Sequence, residues 1–101
     1  MTQRSIIVAG AGVLGLWQAL LLSRAGHRVR LVERGPEDFT RAASSYAGAM
    51  LGPFCETEAQ AAEVREPGLR AIHLWRQEVP GTQVAGTLVV APARDLGELD
   101  R

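Results

Sequence analysis

The sequence predicts an α/β fold that opens on a parallel strand–helix–strand unit, and three observations predict it. A β-branched apolar run, Ser5 to Ala9, stops at Gly10. Apolar residues then recur at helical spacing, at Val13, Leu16, Trp17, Leu20 and Leu21, until Gly26. A second apolar run, Arg28 to Glu33, follows directly. Strand, helix and strand fit into about thirty residues, the size of a βαβ unit, and two parallel strands joined this way need a right-handed crossover.

Each element has its own local reason. Ile6-Ile7-Val8 is unbroken by polar residues, so the first strand is expected to be buried on both faces. Ala19 and Leu22 lie where the following helix must meet the sheet. Gly26, after Arg24 and Ala25, is a C-terminal glycine stop. Arg28 to Glu33 alternates in part and reads as the second strand. Gly35 to Gly52 is rich in Gly, Ala and Ser and reads as an extended loop with one helical turn around residues 40–46. Thr57 to Glu66 reads as a helix with a Thr cap and Glu58 in its first turn. Pro67-Gly68 is expected to break or kink it. Leu69 to Val79 resumes a helical pattern with Ile72, Trp75 and Val79 near one face. Pro80-Gly81 reads as a turn, Val84 to Ala91 as a buried strand, and Asp95 to Arg101 as the opening of another helix.

Composition narrows the function classes. At 101 residues the chain is about one small domain. Its 47% hydrophobic and 22% charged residues exclude a disordered tail, a collagen-like repeat and a disulfide scaffold. Eleven basic residues balance eleven acidic ones, so no basic field marks a nucleic-acid partner. All the basic residues are arginine, which removes a lysine Schiff base. The charge is uneven: residues 1–34 hold five Arg and one Glu, net +4, and residues 35–101 hold six Arg and ten acids, net −4. The basic part suits a phosphate-bearing ligand, and a solvated surface explains it equally well. The single cysteine, Cys55, forms no internal disulfide, which points to a reducing compartment and a cytoplasmic protein. From Ile6 to Leu22 only Gln18 is polar, as in a signal peptide or a short membrane helix. Glycines at 10, 12 and 15 interrupt such a helix, and a buried strand–turn–helix explains the same apolarity. No membrane partner is therefore expected.

The chemistry lies in Gly10-x-Gly12-x-x-Gly15 at the strand-to-helix turn. A lone G-x-G-x-x-G is weak evidence, but this one has its context. Gly10 permits the tight turn, Gly12 lets the backbone approach a pyrophosphate, and Gly15 lets the helix pack closely on the sheet. The helix start, Val13 and Leu14 with Gly15, points N–H groups and a partial positive charge at phosphates. Glu33, eighteen residues after Gly15, suits a ribose with free hydroxyls and opposes an extra 2′-phosphate, although Arg34 beside it softens that opposition. A dinucleotide-binding, Rossmann-like unit is the reading. Chance occurrence in an unrelated α/β turn is the alternative.

Gly10 through Arg34, ending in Glu-Arg, resembles the N-terminal fingerprint of flavoprotein oxidoreductases. Arg41-Ala42-Ala43-Ser44-Ser45-Tyr46-Ala47-Gly48-Ala49-Met50-Leu51-Gly52-Pro53, followed by Cys55-Glu56-Thr57-Glu58, resembles the small-residue stretch of the D-amino-acid-oxidase-like family. Within that family it is most similar to the glycine oxidases of the thiamine pathway. The resemblance implies FAD as cofactor. It implies that Arg34 belongs to the cofactor-binding set, that Arg41, Ala43 and Ser44 lie near the pyrophosphate and ribityl chain, and that Ala47, Gly48, Ala49, Met50 and Leu51 pass along the flavin. Small residues let a planar ring lie against the main chain, whose N–H groups can then bond its edge. A flexible surface loop is the alternative for residues 41–53. Leu74-Trp75 and Gly86 to Ala91 resemble the helix before, and the strand that opens, the family's substrate domain. Residues 1–80 are thus expected to be the N-terminal part of an FAD-binding domain and 81–101 the start of a substrate domain, together the opening of a larger fold.

The resemblance further implies an oxidoreductase acting on a small amine or amino acid. Hydride would pass from the substrate Cα–H to flavin N5, giving an imine and, with oxygen, hydrogen peroxide. The alternatives are a non-catalytic nucleotide-binding fragment or a small subunit needing a second polypeptide. An NAD-dependent dehydrogenase fragment is a third, opposed by the Ala43–Pro53 loop. No catalytic residue is assigned, since those of the family lie later in the chain. No His, Cys and Asp cluster has metal spacing. Cys55 and His73 read as structural residues, His27 as part of a turn, and Trp17 and Trp75 as core or interface side chains. Ser44 and Ser45 lack a histidine partner for nucleophilic catalysis.

Overall fold

The structure, a computed structural model, describes residues 2–53 and 62–98. The chain divides into two compact units, Met1–Met50 and Leu51–Arg101.

The first unit is the βαβ unit. Strand β1 (Ser5–Ala9), helix α1 (Val13–Arg24) and strand β2 (Arg28–Val32) follow one another. The strands are parallel and in register from Ser5 opposite Arg28 to Ala9 opposite Val32. The Gly10 N–H donates to the Val32 carbonyl at 2.7 Å and carries the ladder into the turn. Helix α1 ends as the glycine predicts. Gly26 adopts φ +91°, the His27 N–H reaches back to the Leu22 carbonyl and the Gly26 N–H to that of Ser23. That pair of bonds is the Schellman arrangement, which satisfies the last carbonyls of a helix. His27 belongs to this turn, its Nδ1 accepting the Arg4 N–H at 3.2 Å.

Burial of the sheet corrects one expectation. Ile6, Val8, Val29 and Leu31 are half-buried on one face, where Val8 meets Gly15 of α1. The opposite face is open, and Ile7 is 68% exposed. A single crossover helix covers one face of a sheet. Burying both faces takes a second layer, which the described residues of this unit do not supply. Helix α1 is apolar nearly all round for the same reason, with Val13, Leu16 and Leu21 left exposed. The loop after β2 holds the expected single turn, a 3-10 helix at Ala43–Tyr46. It is approached through Asp38, whose carboxylate accepts from the Thr40 N–H at 3.1 Å and Oγ1 at 2.8 Å.

In the second unit, a 3-10 turn at Ala62–Val64 leads into helix α2 (Arg65–Glu78). Pro67-Gly68 does not break this helix, contrary to expectation, because Pro67 is its third residue. The first N–H groups of a helix have no partner within it, so a proline there forfeits no bond. Gly68 is where the helix passes Pro53, since a Cβ on it would come within 2.6 Å of the Pro53 Cβ. Ile72 and Trp75 are half-buried as expected. Val79 lies just past the helix and is exposed, its N–H bonded to the Trp75 carbonyl at 2.7 Å. The Pro80-Gly81 turn is closed by the Thr82 N–H on the Val79 carbonyl and by Thr82 Oγ1 on that of Trp75.

Val84 to Ala91 forms no strand. Its residues have β-favouring side chains, but a strand exists only where a neighbour takes its N–H and C=O groups, and no described residue does so. Leu88 is accordingly 89% exposed rather than buried. A 3-10 helix at Ala93–Glu98 stands where another helix was expected to open. The expected Thr57 start of the preceding helix, Cys55 and residues 99–101 lie outside the described residues. Among the described residues no helix is long and apolar enough to cross a membrane.

Candidate functional site

The site is the turn between β1 and α1, and its geometry follows from the three glycines. Gly10 takes φ +103°, a conformation that side chains disfavour, and this turns the chain out of the sheet. A Cβ on Gly15 would be driven into the Gly10 carbonyl, so only glycine lets α1 start this close to the end of β1. Ala11 between them is 1% exposed and is one of the few buried side chains of the unit. The Leu16 N–H on the Gly12 carbonyl at 3.0 Å opens the helical ladder. The amides of Val13, Leu14 and Gly15 therefore precede it, at the positive end of the helix dipole.

Two side chains from elsewhere reach this turn. Glu33, the residue after β2, sits beside the end of β1 because the strands are in parallel register. Its Oε2 accepts the Ala11 N–H at 2.9 Å and its Oε1 the Gly35 N–H at 3.2 Å. These bonds, that of Ala11 foremost, hold the Glu33 carboxyl below its ordinary pKa. Partial desolvation opposes them, and the Arg34 amide and charge add to them. The carboxylate is therefore ionised near neutral pH, and its two oxygens keep lone pairs for a further donor.

The second side chain is Ser44, in the 3-10 turn. Its Oγ accepts the Val13 N–H at 2.8 Å, from 31 residues away. Gly12 holds the N-cap position of α1 and has no side chain to cap with. The contact was missed in the sequence because nothing local encodes it. The one available signal was the glycine N-cap itself, whose neighbouring amides need an acceptor from another part of the chain.

The structure thus brings together Gly10, Gly12, Val13, Leu14, Gly15, Glu33 and Ser44. Arg34 follows Glu33 and is exposed, and Ala43 opens the 3-10 turn. Arg41 is placed by Gly35, whose missing Cβ would fall 2.9 Å from the Arg41 Cβ. Ala47, Gly48, Ala49 and Met50 run on past the 3-10 turn, all exposed, with Ala49 at φ +57°. Leu51 opens the second unit. Among the described residues no group of His, Cys, Asp or Glu could hold a metal ion.

Whether the turn fits a pyrophosphate can be judged from the turn itself. It offers a surface without side chains at Gly10 and Gly12, amides ahead of the helical ladder, and a hydroxyl and a carboxylate on either side. An anionic diphosphate joined to a ribose fits that set.

Comparison with known proteins agrees with this fit. The family described as FAD dependent oxidoreductase matches residues 5–101. The chain is 47% identical over 97 residues to a putative thiamine biosynthesis oxidoreductase, ThiO, of Rhizobium etli, covering 95% of this chain and 29% of that protein. It is 38% identical over 50 residues to a D-amino acid dehydrogenase of Sinorhizobium medicae, covering 50% of this chain and 12% of that one. The chain thus spans less than a third of the length of either relative. No solved structure matches it.

Proposed function

The chain belongs to the family of FAD-dependent oxidoreductases, and from that premise we propose that it supplies the dinucleotide-binding portion of a glycine-oxidase-like enzyme of the cytoplasm. The amides of Gly12, Leu14 and Gly15 hold the FAD pyrophosphate at the start of α1. Arg34 and Arg41 add positive charge beside it. Glu33 accepts the ribose hydroxyls on the lone pairs that Ala11 and Gly35 leave open. Ala43 and Ser44 line the approach to the ribityl chain, and Ala47 to Leu51 offer small residues and main-chain N–H groups to the ring. Residues 1–80 belong to the FAD domain and 81–101 begin a substrate domain.

When bound, the flavin would supply the redox chemistry, the oxidation of a small amine or amino acid at its Cα–H to an imine by hydride transfer to N5, with oxygen reduced to hydrogen peroxide. The part played by these residues is to bind and orient the cofactor. The observation that carries the reading is the glycine turn with Glu33 and Ser44 closing on its amides from two different segments.

The purified chain is expected to quench FAD fluorescence saturably on titration. ADP-ribose, which shares the diphosphate and ribose, should compete, and riboflavin alone should compete poorly. A titration that never saturates would end the reading for this chain. Binding of FAD with no peroxide from glycine, sarcosine or D-amino acids would instead favour a binding module that needs a second polypeptide.

A further inference from the structure

We propose that Ser44 is a positioning residue: its hydroxyl caps α1 from a distance and latches loop 36–46 onto the glycine turn before any ligand arrives. The inference rests on the FAD-binding reading and deepens it, because it concerns what shapes the phosphate cradle in advance. Helix α1 begins at Val13 with a glycine as its N-cap, so its first amide has no local acceptor. Ser44 Oγ takes that amide at 2.8 Å. The fit is close, since a Cβ on Gly12 would lie 3.3 Å from the same oxygen. Glycine at position 12 therefore makes room for the latch as well as for a phosphate.

The loop that delivers Ser44 is held by its own bonds. Asp38 ties down Thr40, Ser45 Oγ donates to the Phe39 carbonyl at 2.6 Å, and the Phe39 and Ala42 amides close successive turns on Pro36 and Phe39. The loop arrives as a shaped body, and Ser44 is its hydrogen-bonded attachment to the helix start. A hydroxyl that accepts one bond keeps its own proton to donate. Ser44 can therefore hold the Val13 amide and still donate to an anion. Its effect on affinity runs through the ordering of Val13, which a simple ligand contact would not require.

The test is amide hydrogen exchange by NMR on the ligand-free chain, paired with FAD titration, for Ser44→Ala, Ser44→Thr and Ser45→Ala. Losing an N-cap acceptor shifts a local equilibrium roughly fivefold. Ser44→Ala should therefore speed exchange of the Val13 amide by about that factor and weaken FAD binding in step. Ser44→Thr, which keeps the hydroxyl, should restore both. Ser45→Ala should loosen Phe39 while leaving Val13 protected. Gly12→Ala, pressing on Oγ from the other side, should speed Val13 exchange as Ser44→Ala does, and it serves as the second variant should Ser44→Ala fail to fold. Unchanged Val13 exchange in Ser44→Ala overturns the latch. So does weaker FAD binding without faster exchange, which would make Ser44 a direct ligand alone, or faster exchange without weaker binding. If the wild-type chain binds no FAD, the functional reading fails by itself, and the exchange data still decide whether Ser44 latches the loop.

Discussion

The two units of this chain are organised by different kinds of contact. In the first, side chains reach across 22 and 31 residues to take backbone amides at one turn, Glu33 on Ala11 and Ser44 on Val13. In the second, Thr82 caps the end of α2 from seven residues away, and Val84 to Ala91 pairs with no described residue. The difference shows where sequence has been committed. Long-range polar contacts to a single turn cost chain entropy to assemble, and here they converge on the amides that a phosphate would use. The second unit has an amphipathic helix and an apolar segment, Val84 to Ala91, that pairs with no described residue. Substitutions in the first unit should therefore act at a distance, and those in the second should stay local or do nothing.

The largest effect is expected at Gly15. Alanine in a helix is ordinarily favoured over glycine by about 1 kcal/mol. At Gly15 the added Cβ would strike the Gly10 carbonyl, a backbone atom that can yield only by opening the turn. Overpacking of this kind costs about 1–3 kcal/mol, or about 4–8 °C of Tm for each kcal/mol in a domain this small. Gly15→Ala should therefore lower Tm, and FAD binding should fall with it. Thermal melts followed by circular dichroism would show the sign. A variant as stable as the parent would mean that α1 does not start against β1.

A smaller effect is expected at Glu33, and it carries a pH signature. Its pKa is lowered in the fold, so its contribution is complete above the ordinary glutamate value of 4.5. The contribution is then lost as pH falls through the depressed folded value. Glu33→Gln should be less stable than the parent at pH 7. The gap should narrow as the pH is taken down below 4.5 and through the depressed folded value, because protonation does to the parent what the substitution has already done. Melts at several pH values test this, and parallel curves for the two proteins would remove Glu33 from the turn.

The contrast between the units also explains what could be read in advance. β1 and the Gly26 stop were legible to the residue, because a β-branched run ended by one glycine and a helix ended by another are local signals. Glu33 was legible through its spacing from Gly15. Pro67-Gly68 was misread because the effect of a proline depends on its place in the helix, and that place was set by a start outside the motif. The open face of the sheet was misread because apolar sequence reports a preference for burial and says nothing of whether a covering layer is present. Ser44 was singled out through family resemblance. Its bond to Val13 depends on how the whole 36–46 loop folds, which no periodicity reports.

The smallest effect is expected at Leu88, and it bears on the second unit most directly. In a buried strand a leucine of this size would contribute about 2–5 kcal/mol against alanine, and a charge in its place would cost more. The sequence favours that reading, since Thr87 to Ala91 is uncharged and largely β-branched or apolar. In the structure Leu88 is 89% exposed, so replacing it removes almost no buried surface. Leu88→Lys should change stability by no more than about 0.5 kcal/mol, read as an unmoved midpoint in urea unfolding. A loss of 2 kcal/mol or more would show that the segment is packed in solution. The contrast between the units would then narrow, because the second unit would also hold its chain by contacts that are not local.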